Sequence, residues 1–179
     1  MADEIRKGLF RISVPLPNSP LKDLNSYVIR GEDRNLIIDT GFNRTVCYEA
    51  MQAGLAELGI DLNQTDFMLT HMHADHTGLV TRLATKTSRI FFGRIDARVF
   101  DGDHGWQSLI DFAALNGFPV DELQKALASH PGFKYSPQQK PVFTLLDDGD
   151  VIECGGYRLR CVATPGHTQG HICLYEEDQ

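Results

Sequence analysis

Between residues 70 and 76 the chain reads Thr70-His71-Met72-His73-Ala74-Asp75-His76, three imidazoles and a carboxylate within a few positions of each other, directly after the apolar run Phe67-Met68-Leu69. Donors this close together make a metal site, because neutral imidazole and ionised carboxylate suit zinc or iron. Regular structure cannot turn all of them to one point. On a helix His71 and His73 would point to different sides, and on a straight strand the neighbours Asp75 and His76 would face opposite ways. A loop that leaves a buried strand can converge them, whereas a merely histidine-rich surface loop would not need that strand.

A second cluster lies far downstream, Thr164-Pro165-Gly166-His167-Thr168-Gln169-Gly170-His171. HxHxDH after a strand, followed at this distance by TPGHTxGH, resembles the metallo-β-lactamase-fold hydrolase superfamily. The resemblance implies an α/β fold of the four-layer αββα sandwich type. It also implies that His71, His73 and His167 hold one metal and that Asp75 and His76 begin a second site. Zinc, as one or two ions, is the expected cofactor, with iron or manganese as alternatives. Three neutral imidazoles leave a fourth position open, where zinc lowers the pKa of bound water to roughly 7 and supplies hydroxide as nucleophile. Asp75 is then the candidate catalytic group, orienting the attack and shuttling a proton. No serine or cysteine nucleophile is needed.

Asp39, in Asp39-Thr40-Gly41 at the end of an apolar run, is expected to support the metal loop without binding metal; alternatively it is a turn former whose carboxylate caps backbone amides. His171, four residues after His167, is expected to support the site in the same indirect way. His104, in Asp101-Gly102-Asp103-His104-Gly105, reads as a solvated turn, and His130 has no donor partners near it in sequence.

The reaction class that follows is hydrolysis of a thioester, ester, lactone or lactam, with a small acyl compound as substrate and a hydroxyacyl-glutathione ahead of a β-lactam. Two other readings remain: an iron-dependent oxygenase of the persulfide dioxygenase type, and a non-catalytic module braced by its metal loop. The flavodiiron branch is disfavoured, since it typically has Glu where His73 stands.

Charge narrows the partners. A net charge of −7 without clustered Lys and Arg argues against nucleic-acid binding as the main role. The N-terminus is charged with no apolar segment behind it, and no stretch approaches 18 consecutive apolar residues, so the expectation is a cytoplasmic chain with no membrane role. Cys47, Cys154, Cys161 and Cys173 lack CxxC spacing and read as reduced, and a hairpin turned at Gly155-Gly156 should set Cys161 opposite Asp150.

A chain of 179 residues is expected to form one domain. Strands are expected over 9–14, 24–29, 36–38, 67–70, 89–93, 142–146, 151–154, 157–163 and 172–175. A helix is expected over 43–58, capped by Asn43 and ended at Gly59, and another over 77–84. Residues 94–140 read as a helical insertion with two short helices, one ending near Gly117 and one between Pro119 and Pro131. Its aromatics, Trp106, Phe112, Phe118, Phe133 and Tyr135, either cover the metal and contact substrate or form a small core of their own.

The resembled family continues past its third histidine to a bridging carboxylate and a last histidine. Here Asp178 is the penultimate residue, so neither can be assigned. The expectation is therefore a truncated chain with the sandwich incomplete in its C-terminal half, weak metal occupancy, and self-association as a homo-oligomer or domain swap.

Overall fold

The structure is a computed structural model that describes residues 2–100 and 106–176. The expected turn at His104 and the tail residue Asp178 lie outside the described residues. Seven strands form one sheet in sequence order: β1 (Ala2–Arg6), β2 (Leu9–Pro15), β3 (Asp23–Ile29), β4 (Asn35–Ile38), β5 (Thr65–Leu69), β6 (Ile90–Gly93) and β7 (Thr144–Leu146). β1 to β4 pair antiparallel, while β4 to β7 run parallel. A second sheet has the order β10 (Ile172–Glu176), β9 (Tyr157–Ala163), β8 (Val151–Cys154), all antiparallel.

The inner parallel strands β4, β5 and β6 carry continuous apolar runs because both of their faces are covered. Ile37, Phe67, Leu69, Ile90 and Phe92 point into one core, which also takes Cys47, Met51 and Leu55 of α1 (Thr45–Glu57). Their alternate neighbours Leu36, Met68 and Phe91 point the other way, onto Ile152, Leu159, Cys161 and Ile172 of the second sheet. Helix, sheet and sheet are thus three layers of the expected sandwich. On the outer face of the second sheet, Glu153, Arg158 and Tyr175 are exposed.

Several boundaries differ from expectation for physical reasons. β1 went unread because it is an exposed, charged edge strand, with Asp3 paired to Arg11 at 2.8 Å. Helix α1 begins after Arg44 with no side-chain cap. Asn43 is diverted to the insertion, its side-chain Nδ2 donating to the Ser136 carbonyl at 3.4 Å and its backbone N–H to the Tyr135 carbonyl at 2.9 Å. Gly59 ends the helix with φ +65, as expected. The helix expected over 77–84 is two short turns, α2 (Ala74–Thr77) and α3 (Val80–Leu83), parted at Gly78. A Cβ there would lie 2.5 Å from Asn43 N and from Tyr135 O.

Between β6 and β7 the chain forms α4 (Arg94–Ala97), α5 (Trp106–Leu115), α6 (Val120–Ser129) and α7 (Pro131–Lys134). α7 packs against α2, next to the histidine motif. The reading of its aromatics as a closed core fails for Phe112 and Phe118, which are 68% and 60% exposed; Ile110 is the buried residue of α5. His130 does find a partner, accepting from the Gly132 amide at 3.1 Å and packing on Trp106.

At the amino ends of the parallel strands, buried Asp66 accepts from Arg34 Nη2 (2.6 Å) and from Arg89 Nη2 (2.6 Å) and amide (2.9 Å). Burial alone would raise the Asp66 pKa, but the hydrogen bonds from Arg34 and Arg89 outweigh it and hold the pKa below its ordinary 3.8. A depressed folded pKa gives stability that is complete above the unfolded pKa and is lost as pH falls through the folded one. Breaking a buried pair costs roughly 3–5 kcal/mol, less where the partners see water as Arg89 does. Asp66→Asn is expected to lower stability at pH 7 by about 2 kcal/mol, with the gap to wild type narrowing in urea unfolding curves as the pH falls below 3.8. A cleft of about 1030 Å³ opens at this same end, lined by residues such as Arg30, Arg34 and Arg158, and holds none of the candidate ligands.

Candidate metal centre

Asp39, His71 and Asp96 lie within three residues of the carboxyl ends of β4, β5 and β6, three adjacent parallel strands, which is where α/β sheets place their sites. His71 and His73 stand in the loop after β5, as the strand-to-loop argument requires. Asp75 and His76 lie on the helical turn α2, so the second half of the motif is not loop.

Three imidazoles from the two distant motifs meet. His71 Nε2 lies 3.1 Å from His73 Nδ1, which lies 2.9 Å from His167 Nε2 across 94 residues of sequence. The ligating atoms of all three fall within 4.8 Å of one another. Hydrogen bonding fixes one tautomer. The Asp39 carboxylate only accepts, so Thr70 Oγ1 must donate to Asp39 Oδ2 (2.8 Å) and accept from His71 Nδ1–H (3.0 Å). That leaves His71 Nε2 as a bare lone pair aimed at the other two rings.

The charges agree. Burial, then the imidazoles of His76, His73 and His167, push His71 down to about 2, and burial followed by His167 lowers His73. A neutral His71 whose bare Nε2 faces two further ring nitrogens fits a cation. Two zinc–nitrogen bonds of roughly 2.0–2.1 Å at a tetrahedral angle set nitrogens about 3.3 Å apart, close to the separations found. His71, His73 and His167 could therefore hold a metal ion.

The other site residues gather alongside. His76 Nδ1 donates to Asp39 Oδ2 at 2.7 Å, turning its Nε2 toward Asp75 Oδ2 at 3.6 Å. Burial opposes its charge, but the bond to Asp39 prevails and raises the His76 pKa. Asp39 sits at φ +61 and is 5% exposed; it also accepts from the Thr70 amide at 2.9 Å. Asp39 thus accepts both from an imidazole and from a backbone amide. His171 stands outside the nitrogen cluster, its Nδ1 2.8 Å from Thr164 Oγ1 and its ring 5.2 Å from that of His71.

Sequence reasoning missed two residues. Thr70 belonged to the quoted motif but had no role until its hydroxyl was found between Asp39 and His71. Asp96, 2% exposed, accepts from Met72 N (2.9 Å), Thr168 Oγ1 (2.7 Å) and Gly170 N (2.8 Å). The cysteines are free, as expected, and Cys161 N–H donates to Asp150 O at 2.7 Å. Burial pushes Cys154 and Cys161 up to about 11, which leaves them inert as nucleophiles.

Comparison with known proteins decides the family. The profile of the metallo-beta-lactamase superfamily matches residues 22–179. The chain belongs to the metallo-beta-lactamase superfamily. Among solved structures of this superfamily, a metallo-beta-lactamase family protein from Thermus thermophilus is similar with a TM-score of 0.75 and 27% identity, covering 96% of this chain and 56% of that one. Among curated superfamily relatives, the acyl-coenzyme A thioesterase MBLAC2 of Bos taurus is 26% identical over 165 residues, 87% of this chain and 54% of its own length. An atrochrysone carboxyl ACP thioesterase of Aspergillus fumigatus is 26% identical over 163 residues, covering 91% of this chain and 29% of that protein. The chain thus spans about half or less of the length of these curated relatives. No helix among the described residues is long and apolar enough to cross a membrane.

Proposed function

We propose that the protein is a metal-dependent hydrolase of acyl thioesters, in which His71, His73 and His167 hold a catalytic zinc. The observation that carries this reading is the convergence of three imidazole nitrogens, one of them a defined lone pair, from motifs 94 residues apart. Two relatives named as thioesterases favour a thioester over other acyl compounds. Bound there, zinc supplies Lewis acidity and lowers the pKa of the water it holds to roughly 7.

The chain's own groups do the rest. Asp75, half-buried beside His76, orients the attacking water and takes its proton. Attack at the carbonyl carbon forms the new C–O bond as the C–S bond breaks, and the proton held at Asp75 passes to the departing thiolate. The products are a carboxylic acid and a thiol. Asp39, through Thr70 and His76, keeps two imidazoles in the tautomer that leaves Nε2 free.

The test measures thiol release from a hydroxyacyl-glutathione and from a medium-chain acyl-coenzyme A, with a chromogenic cephalosporin as the β-lactam comparison. Thiol release that a chelator abolishes and zinc restores is the expected result. Bound iron with oxygen consumption, or zinc-loaded protein that hydrolyses neither thioester, would overturn the proposal.

A further inference from the structure

We propose that Asp96 is the positioning residue of the metal centre, a single carboxylate that clasps the His71–His73 loop to the loop carrying His167 and so sets the ligand spacing before any cation arrives. This rests on the reading that those three histidines bind metal. Asp96 lies in the first turn of α4, outside both histidine motifs, and each of its oxygens is committed. Oδ2 accepts from the amide of Met72, the residue between His71 and His73, and from the hydroxyl of Thr168, the residue after His167. Oδ1 accepts from the amide of Gly170. One side chain therefore joins segments 24 and 72 residues away from it, and the gap it governs is the 2.9 Å between His73 Nδ1 and His167 Nε2. The companion tie between the loops is one backbone bond, from Ile172 N–H to Thr70 O at 3.0 Å.

The fit around the clasp is closed. A Cβ on Gly170 would lie 2.4 Å from Asp96 N and 2.6 Å from Asp96 Oδ1, and a Cβ on Gly93 would lie 2.6 Å from Gly170 O. Gly170 thus has to be glycine for the carboxylate to reach its amide. Among the described residues Asp96 has no Lys or Arg partner in an ion pair, and a carboxylate buried with only uncharged donors is an expensive way to hold loops together. What it provides that an apolar contact would not is directional control. Metal ligands must be held to within roughly 0.5 Å of their working positions, and supporting partners that fail to do so typically cost about 10–100-fold in metal affinity.

The experiment compares wild type with Asp96→Asn, Thr168→Val and Gly170→Ala. It reads zinc affinity by competition with a chromophoric chelator, the absorption spectrum of the cobalt-substituted protein, and the melting temperature of the metal-free protein. Asp96→Asn keeps the shape but turns one acceptor into a donor facing other donors, and about 10–100-fold weaker zinc binding with an altered cobalt spectrum is expected. Gly170→Ala should act alike by displacing the carboxylate. Thr168→Val removes one bond without changing volume, so it carries the test even where Asp96→Asn does not fold; it should weaken zinc binding several-fold with little change in the metal-free melting temperature. Melting temperatures that fall while zinc affinity and the cobalt spectrum stay wild-type would show a merely structural role and overturn the proposal. Wild-type protein that binds no zinc would overturn the metal reading beneath it.

Discussion

Replacing His73 with alanine is expected to weaken zinc binding by about 10²–10³-fold and to abolish metal-dependent thioester hydrolysis. Apparent binding free energies of structural zinc run roughly 10–16 kcal/mol, and shared among four ligands this is about 2.5–4 kcal/mol each. His73 is the middle member of the cluster, 3.1 Å from His71 and 2.9 Å from His167, so its removal leaves no two adjacent nitrogens in place. The effect on the metal-free fold runs the other way. Burial and His167 lower the His73 pKa below its ordinary 6.5, so the folded wild type loses stability as pH falls below that value, a cost that alanine removes. The metal-free variant should therefore lose less of its melting temperature than wild type as pH falls below 6.5. Zinc content by elemental analysis, thiol release and metal-free melting together check this. A variant that keeps its activity while its stability changes would instead identify a module merely braced by the metal.

The parts of this arrangement that could be read from sequence are those whose signal is local. Strands β4, β5 and β6 are short apolar runs because both faces are buried, and the histidine motif stands at the carboxyl end of one of them. Turn chemistry was equally plain at Gly59 and at Gly155-Gly156, where φ is positive. What escaped depends on contacts far apart in sequence. Asn43 looks like a helix cap until Ser136 and Arg82 are folded next to it and engage its side-chain amide. Gly78 looks like an ordinary helix residue until two backbone segments close on it. Asp96 carries no periodic or motif signal, since its partners lie 24, 72 and 74 positions away. Even the insertion, whose helices were anticipated, leaves Phe112 and Phe118 in solvent, a fact of packing that hydrophobicity alone does not encode.

Asp39→Asn is expected to lower metal affinity by about 10–100-fold while leaving the backbone as it is, because one carboxylate serves two imidazoles at once. Its Oδ2 accepts from Thr70 Oγ1, which holds His71, and from His76 Nδ1, while its Oδ1 accepts from the Thr70 amide. An asparagine can still accept from that amide through its oxygen. Its NH₂ group, however, meets two donors where two bonds had been, and both imidazoles lose the partner that fixed their tautomer. The left-handed φ of +61 is tolerated by asparagine, so little backbone cost is added. Asp39→Ala is the informative contrast. Alanine loses the Thr70 amide bond as well and adds roughly 1–2 kcal/mol of left-handed strain, so it should melt below Asp39→Asn when both are metal-free. If instead the two variants bind zinc like wild type and differ only in melting temperature, Asp39 serves the turn and not the metal. Chelator competition on the folded variants, run beside their melting curves, separates the two roles.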